Sequence, residues 1–289
     1  LSRNRDRVGG AHPQPDTSPP PQQVTQEQGT SAGHFSFVVP TEFVELPSQG
    51  KYYPEEHPLH NQDSIEIRQM TAKEEDILTS RTLLKKGVAL DRVIQSLITD
   101  KKINPDTLLV GDRNAIIIAC RISGYGNLYT TKIGCPACGV TQGYEFDLND
   151  TEVYTADNLS DKNIINNHDG TFDTILPKTQ LTVTFRLLRG IDEKQLLNDL
   201  QTDRKRKTQE KNITRQLQNI LVAVNGNDEQ SALNYLIENI PSMDSRYLRT
   251  AYNLATPNID LTQTFICDEC GHEADLEVPL SVTFFWPER

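Results

Sequence analysis

No stretch of this 289-residue chain is apolar for long enough to cross a membrane. The longest apolar run, Ala115 to Cys120, falls far short of the ~20 residues that a helical span needs. The opening LSRNRDRVGG has arginines but no apolar core behind them, so it does not read as a secretory signal. Cysteines are few: there are five, and four of them fall in two CxxC pairs. That is unlike a secreted disulfide framework and points to a reducing compartment. Basic residues are also short, with 29 Lys and Arg against 40 Asp and Glu and a formal net charge of −11. General binding of nucleic acid or anionic membrane draws on clustered cations, so this balance argues against both. The chain has no phosphate-cradling glycine loop, no nucleophile elbow and no HExxH. Carboxylates abound, yet nothing pairs them into an acid and a base. The expectation is that the protein is not an enzyme.

What is present divides the chain by composition. Residues 1–34 are rich in Pro, Gln and Ser, and Pro13, Pro15 and Pro19 to Pro21 forbid regular structure there. They read as a disordered tail or as an extended arm that orders on another subunit. In 35–126, short strands are expected at Phe35–Val39 and Phe43–Leu46, with a half-buried strand through Ile65 and Ile67. Thr71 and Glu74 have capping-box spacing. Ile77, Leu78, Leu83 and Leu84 then form a stripe that stops at Gly87. Val93, Ile94, Leu97 and Ile98 suggest a second helix, and Asp112 is a candidate cap for a third over 113–122. That third helix is apolar almost all round and therefore buried, so 71–123 is expected to be a helical cluster with its own core. Residues 127–190 read as β-rich, with strict alternation at Leu181, Val183, Phe185 and Leu187. Residues 191–258 read as a helical insertion, with a stripe that includes Leu217, Ile220, Leu221 and Val224 and a pair of helices around Pro241. Residues 259–289 return to strands that run to Phe284, Phe285 and Trp286.

The two CxxC segments resemble each other. Placing Cys135 on Cys267 puts Cys138 on Cys270 and Gly139 on Gly271, and aligns Tyr144, Phe146 and Leu148 with Leu276, Val278 and Leu280. Each copy reads as strand, knuckle, strand, which is the two-hairpin pattern of a zinc ribbon. Zinc accepts four thiolates in a tetrahedron at ~2.3 Å each, and two cysteines three apart on a tight turn can share one ion. A glycine after the second cysteine allows a left-handed backbone. Cys135, Cys138, Cys267 and Cys270 are thus expected to hold one structural zinc, with no open position for catalysis. Ordinary ribbons separate the pairs by ~15–20 residues, whereas 128 intervene here. Closing so long a loop removes much unfolded-state entropy, so the site is expected to be decisive for folding. The fold class expected is α+β: a zinc-ribbon-like β core from two distant CxxC hairpins, an N-terminal helical cluster and a helical insertion. A thiol oxidoreductase is the rival for the CxxC pairs, but such motifs usually sit at a helix start.

Other candidates carry less. Cys120 reads as a buried bystander, His57 and His60 as a solvated turn, and His272 with Asp268, Glu269 and Glu273 as surface around the second knuckle. The basic run Arg204 to Lys207 reads as a solvated or subunit-contacting helix face.

The segments FVELPSQGKYYPEEHPLH, IEIRQMTAKEEDILTSRTLLKKGVALDRVIQSLI, LLVGDRNAIIIACRISGYG and CPACG, in that order, resemble the baseplate hub family of T-even-like contractile-tailed bacteriophages. The likeness covers roughly 35–285 and is strongest at 41–139. It implies a structural hub component that binds hub, tube or wedge proteins in the virion tail, and that passes through the host cytoplasm during assembly. The alternatives are a hub assembly factor that leaves before the virion is complete and, from a different class, a zinc-ribbon nucleic-acid-binding regulator. The four cysteines match the family's zinc-ribbon-like pattern, and the resemblance implies no catalytic residues.

Overall fold

Alternation and capping place the first elements where the sequence puts them. A computed structural model describes residues 37–157, 159–206, 211–278 and 282–285, and its elements belong to one unit, Val39–Arg289. Strand β1 (Thr41–Glu45) pairs antiparallel with β2 (Ser64–Arg68), and Val44, Ile65 and Ile67 face inward. The strand expected before Pro40 is not found: residues 37–40 lie outside any strand, and Phe35 lies outside the described residues. Proline has no N–H for a ladder, and the Pro40 carbonyl instead accepts from the Gln69 N–H at 2.9 Å.

Helix α1 (Ala72–Thr79) begins at the expected cap. The buried Glu74 carboxylate accepts from the Thr71 N–H (3.0 Å) and hydroxyl (2.7 Å), from Ser96 (2.7 Å) and from both ends of the Arg68 guanidinium. Burial by itself would raise its pKa, but the Arg68, Ser96 and Thr71 donors override this and hold it at about 2, against an ordinary 4.5. A carboxyl whose folded pKa is depressed stabilises the fold above its unfolded pKa. That stabilisation is lost as pH falls from about 4.5 towards 2. Glu74→Gln is expected to cost about 2 kcal/mol at pH 7 and much less at pH 2, which denaturant melts at the two pH values would read.

The apolar stripe does not continue unbroken to Gly87. The Thr79 hydroxyl bonds back to the Glu75 and Asp76 carbonyls, a contact that bends helices. The chain breaks at Ser80, and α2 (Arg81–Lys86) buries no residue before Gly87 ends it at φ 70°. Helix α3 (Ala89–Leu97) buries Val93, Ile94 and Leu97 as expected.

Helix α4 (Val110–Tyr125) starts before Asp112, so Asp112 does not cap it. Its buried carboxylate accepts from the Ser48 N–H (3.0 Å) and hydroxyl (2.6 Å) and from the Tyr53 hydroxyl (2.7 Å). The turn-rich segment after β1 is thereby pinned to α4. The Arg113 guanidinium, also buried, pairs with Asp91 at 2.7 Å and so ties α4 to α3.

The β-rich part holds β3 (Leu128–Gly134), β4 (Thr141–Asp147), β5 (Glu152–Tyr154), β6 (Ile164–Asn166), β7 (Thr171–Ile175) and β8 (Thr182–Arg186). Then come α5 (Gly190–Arg206), α6 (Asn212–Ile220), β9 (Leu221–Val224), α7 (Gln230–Asn239) and α8 (Ser242–Ala255). The last elements are β10 (Asn258–Asp260), β11 (Thr262–Ile266), β12 (Glu273–Glu277) and a 3-10 turn, Val282–Phe285.

Leu221 and Val224, expected on a helical stripe, form β9 instead and complete an antiparallel sheet in the order β6-β7-β8-β9. Turn chemistry decides this: Asn225 (φ 48°) and Gly226 (φ 76°) turn the chain back on itself right after the strand. The segment 191–258 is therefore not wholly helical. The final strand is likewise replaced by the 3-10 turn, with Phe284 and Phe285 buried; Trp286 lies outside the described residues.

One continuous core runs from Val44 to Phe285 and takes in Leu97, Ile116, Phe172, Phe185 and Leu248. The helices near the N-terminus have no core of their own. A small separate cluster of Cys135, Phe265 and Cys267, with Ile133, Tyr144 and Leu276 around it, marks the cysteine site.

Candidate metal centre

The internal resemblance is a structural duplication. In the first hairpin Ile133 pairs with Gln142 and Gly134 with Thr141. In the second, Phe265 pairs with Ala274 and Ile266 with Glu273. Every one of these residues in the second hairpin lies 132 positions after its counterpart, as Cys267 does after Cys135. The knuckles match bond for bond. The Cys135 N–H donates to the Val140 carbonyl (2.8 Å) and the Gly139 N–H to the Cys135 carbonyl (2.9 Å). The Cys267 N–H donates to the His272 carbonyl and the Gly271 N–H to the Cys267 carbonyl, both at 2.9 Å. Gly139 and Gly271 have φ of 74° and 67°, the left-handed conformation that glycine takes without strain.

The knuckles bring all four sulfurs together. The four Sγ atoms lie within 4.8 Å of one another, with Cys135 to Cys270 at 3.8 Å and Cys138 to Cys267 at 3.7 Å. All are free thiols, and these separations are far beyond the ~2.05 Å of a disulfide. A tetrahedron with ~2.3 Å metal–sulfur bonds has edges of ~3.8 Å, so the donor set and its spacing fit one zinc ion. Cys135 and Cys267 are buried, while Cys138 and Cys270 face outward.

Backbone donors tune the sulfurs. The Cys138 N–H, aimed at the Cys135 sulfur, is the main cause that holds that thiol at about 6. The His272 N–H pulls on Cys270, but desolvation and the three neighbouring sulfurs outweigh it and push that thiol up to about 12. Four thiols this close cannot all ionise without a counter-charge, and a dication centred among them would supply it.

The hairpins are also joined directly, by contacts that sequence reasoning missed. The Tyr144 hydroxyl donates to the Thr264 carbonyl (2.6 Å), the Gln142 amide donates to the Ile266 carbonyl (3.2 Å) and the Asp268 N–H donates to the Gln142 side-chain oxygen (2.9 Å). Gln263 bridges the other way: its amide donates to the Asp147 carbonyl (2.6 Å) and its oxygen accepts from the Asp147 N–H (3.2 Å). The counterparts of Gln142 and Gln263 in the duplication are Ala274 and Thr131, so the repeat pattern gave no signal for them. Tyr144 also stacks edge-on against the buried Phe265 at 5.3 Å.

A second closure lies at the other end of the first hairpin. Arg121 of α4 is 1% exposed, and its guanidinium donates to the carbonyls of Phe284 (2.8 Å), Gly126 (2.6 Å) and Leu128 (2.9 Å). The start of β3 and the turn that follows β12 are thus held by one side chain. Tyr129 and Phe284 pack edge to face beside it at 5.1 Å.

The other candidates are not drawn into the site. Cys120 is buried in the main core, where burial raises its pKa. His57 stacks on Tyr53 and bonds Thr107 at 2.8 Å, while His60 bonds the Tyr53 carbonyl at 2.7 Å. His272 serves through its backbone. Arg204, Lys205 and Arg206 end α5, but their side chains and Lys207 lie outside the described residues.

A model of the family described as T4 bacteriophage base plate protein matches residues 39–286. No curated protein and no solved structure matches the chain.

Proposed function

Because the chain belongs to the T4 bacteriophage base plate protein family, and so has a structural role in a phage baseplate, we propose that it is a hub-region subunit that stays in the virion and catalyses no reaction. The observation that carries this reading is the four-sulfur cluster, which joins segments 132 positions apart and leaves a zinc ion no open coordination position. Cys135, Cys138, Cys267 and Cys270 would hold the ion, which supplies a fixed crosslink and no Lewis-acid step. Both pairs sit on hairpin knuckles and not at helix starts, which supports a structural use over a redox one. A part that must transmit load through a tail without turnover has a use for such a crosslink. Its partners are other tail proteins.

The test is composition and place. Mass spectrometry of purified virions is expected to find this chain, and a tail density map to place it at the hub. Absence from purified virions would overturn the reading in favour of a transient assembly factor.

A further inference from the structure

A groove of about 780 Å³ opens where α4, α5, α8, β10 and β12 meet. Its lining is mixed: the half-buried Val110, Leu188, Leu196 and Ile259 offer apolar surface between Asn253, Thr256, Asn258 and Thr262. The charged residues that line it are all acidic: Glu193, Asp260 and Glu277. Arg113 pairs with Glu193 at 3.6 Å; among the described residues neither Asp260, which accepts from the Thr262 N–H at 2.9 Å, nor Glu277 pairs with a Lys or Arg.

Glu277 continues the groove onto a strand. Glu273, Asp275 and Glu277 alternate along β12 and are all exposed, so the three carboxylates share one face at ~7 Å spacing. Among the described residues none of the three pairs with a Lys or Arg; Asp275 accepts only from the Thr264 hydroxyl, at 3.2 Å. The duplication acts as an internal control. The matching positions of the first hairpin are Thr141, Gly143 and Glu145, and that hairpin forms the same register and the same knuckle. The acidic row is therefore not required by the hairpin or by the cysteines, and like charges in a row oppose folding. Among the described strands β12 pairs only with β11, so its other edge is open to an added strand.

We infer that this groove and the β12 edge together receive an extended segment of a neighbouring tail protein, with Lys or Arg at alternate positions and one apolar side chain seated over Leu196 and Ile259. The inference rests on the reading that the chain works beside other tail proteins, and it adds where and to what chemistry it binds. A strand added in register sets each cation opposite a carboxylate, while the apolar anchor fills the groove.

The full chain would be titrated with a fluorescent nonapeptide that alternates Lys with Leu, and with its Glu-for-Lys counterpart. The Lys peptide is expected to bind and the Glu peptide not to. Asp275→Lys with Glu277→Lys, and separately Leu196→Ser, are each expected to weaken binding at least tenfold. The charge-matched Glu55→Lys with Glu56→Lys, on the exposed turn after β1, should bind as the unaltered protein does. Equal binding of both peptides, no binding of either, or equal loss in the Glu55→Lys, Glu56→Lys variant would overturn the inference. A photo-crosslinker at position 196 in assembled tails separates this from the hub reading. If virions hold the chain but no Lys- or Arg-bearing neighbour is captured, the groove inference falls and the structural role stands. If virions lack the chain but the peptide results hold, the role in the virion falls and the groove stands.

Discussion

Replacing Cys267 with serine is expected to strip the metal from the protein and to lower its stability by about 3–5 kcal/mol, without abolishing the fold. In zinc-finger peptides the metal is nearly the whole core, and its binding is worth ~10–16 kcal/mol. Here the main core runs from Val44 to Phe285 without any of the four metal-site cysteines, and the sulfur cluster has only Phe265 as a fully buried neighbour of its own. The hairpins are also bridged by Tyr144, Gln142 and Gln263. The sequence-based expectation that the site decides folding is therefore narrowed to the two hairpins. At ~2–4 °C per kcal/mol for a chain of this size, Tm should drop by about 10 °C. Far-UV circular dichroism at 25 °C should change little, while the near-UV signal of Tyr144 and its ring neighbours is lost. A variant with full metal content and unchanged Tm would contradict the assignment of Cys267 as a ligand.

Arg121→Met is expected to cost about as much, although it touches no cysteine. The substitution leaves the carbonyls of Phe284, Gly126 and Leu128 without their buried donor. Each orphaned acceptor costs ~1–3 kcal/mol, and partial relaxation brings the total to about 3–5 kcal/mol. Methionine keeps most of the volume, so the loss reports on hydrogen bonding more than on packing. Because Arg121 grips both the start of β3 and the turn after β12, its loss should also speed zinc release to a chromogenic chelator. Arg121→Lys, which can reach one carbonyl but not three, is expected to fall between the two. A stability loss with unchanged zinc release would show that the two closures act independently.

The metal-site hairpins were legible because the duplication repeats its cysteines, glycines and alternating apolar positions together, and all of them point to the same strand-knuckle-strand unit. The cap at Thr71 and Glu74 was legible for the same reason, since local chemistry and position agree. Strand β9 was not, because Leu217, Ile220, Leu221 and Val224 satisfy helical spacing, and it is pairing with β8, ended by the Asn225-Gly226 turn, that makes the last two a strand. The buried charges were harder. Asp112 precedes an apolar run, as a cap does, yet it lies within the helix and binds Ser48 and Tyr53. A signal was available in LLVGDRNAIIIACRI: charges inside a helix that is apolar all round must be buried and therefore partnered. Which partners they find depends on segments over 50 positions away, as with Asp112 and Tyr53, and no local pattern encodes that.

One zinc ion on four thiolates is proposed to tie the two hairpins together. X-ray absorption at the zinc edge, with elemental analysis of the purified full chain, tests it most directly. The expected result is one zinc per chain, with a first shell of four sulfurs at ~2.3 Å. Less than a tenth of an equivalent of zinc in a folded, fully reduced protein, or a first shell with nitrogen or oxygen in place of sulfur, would contradict it.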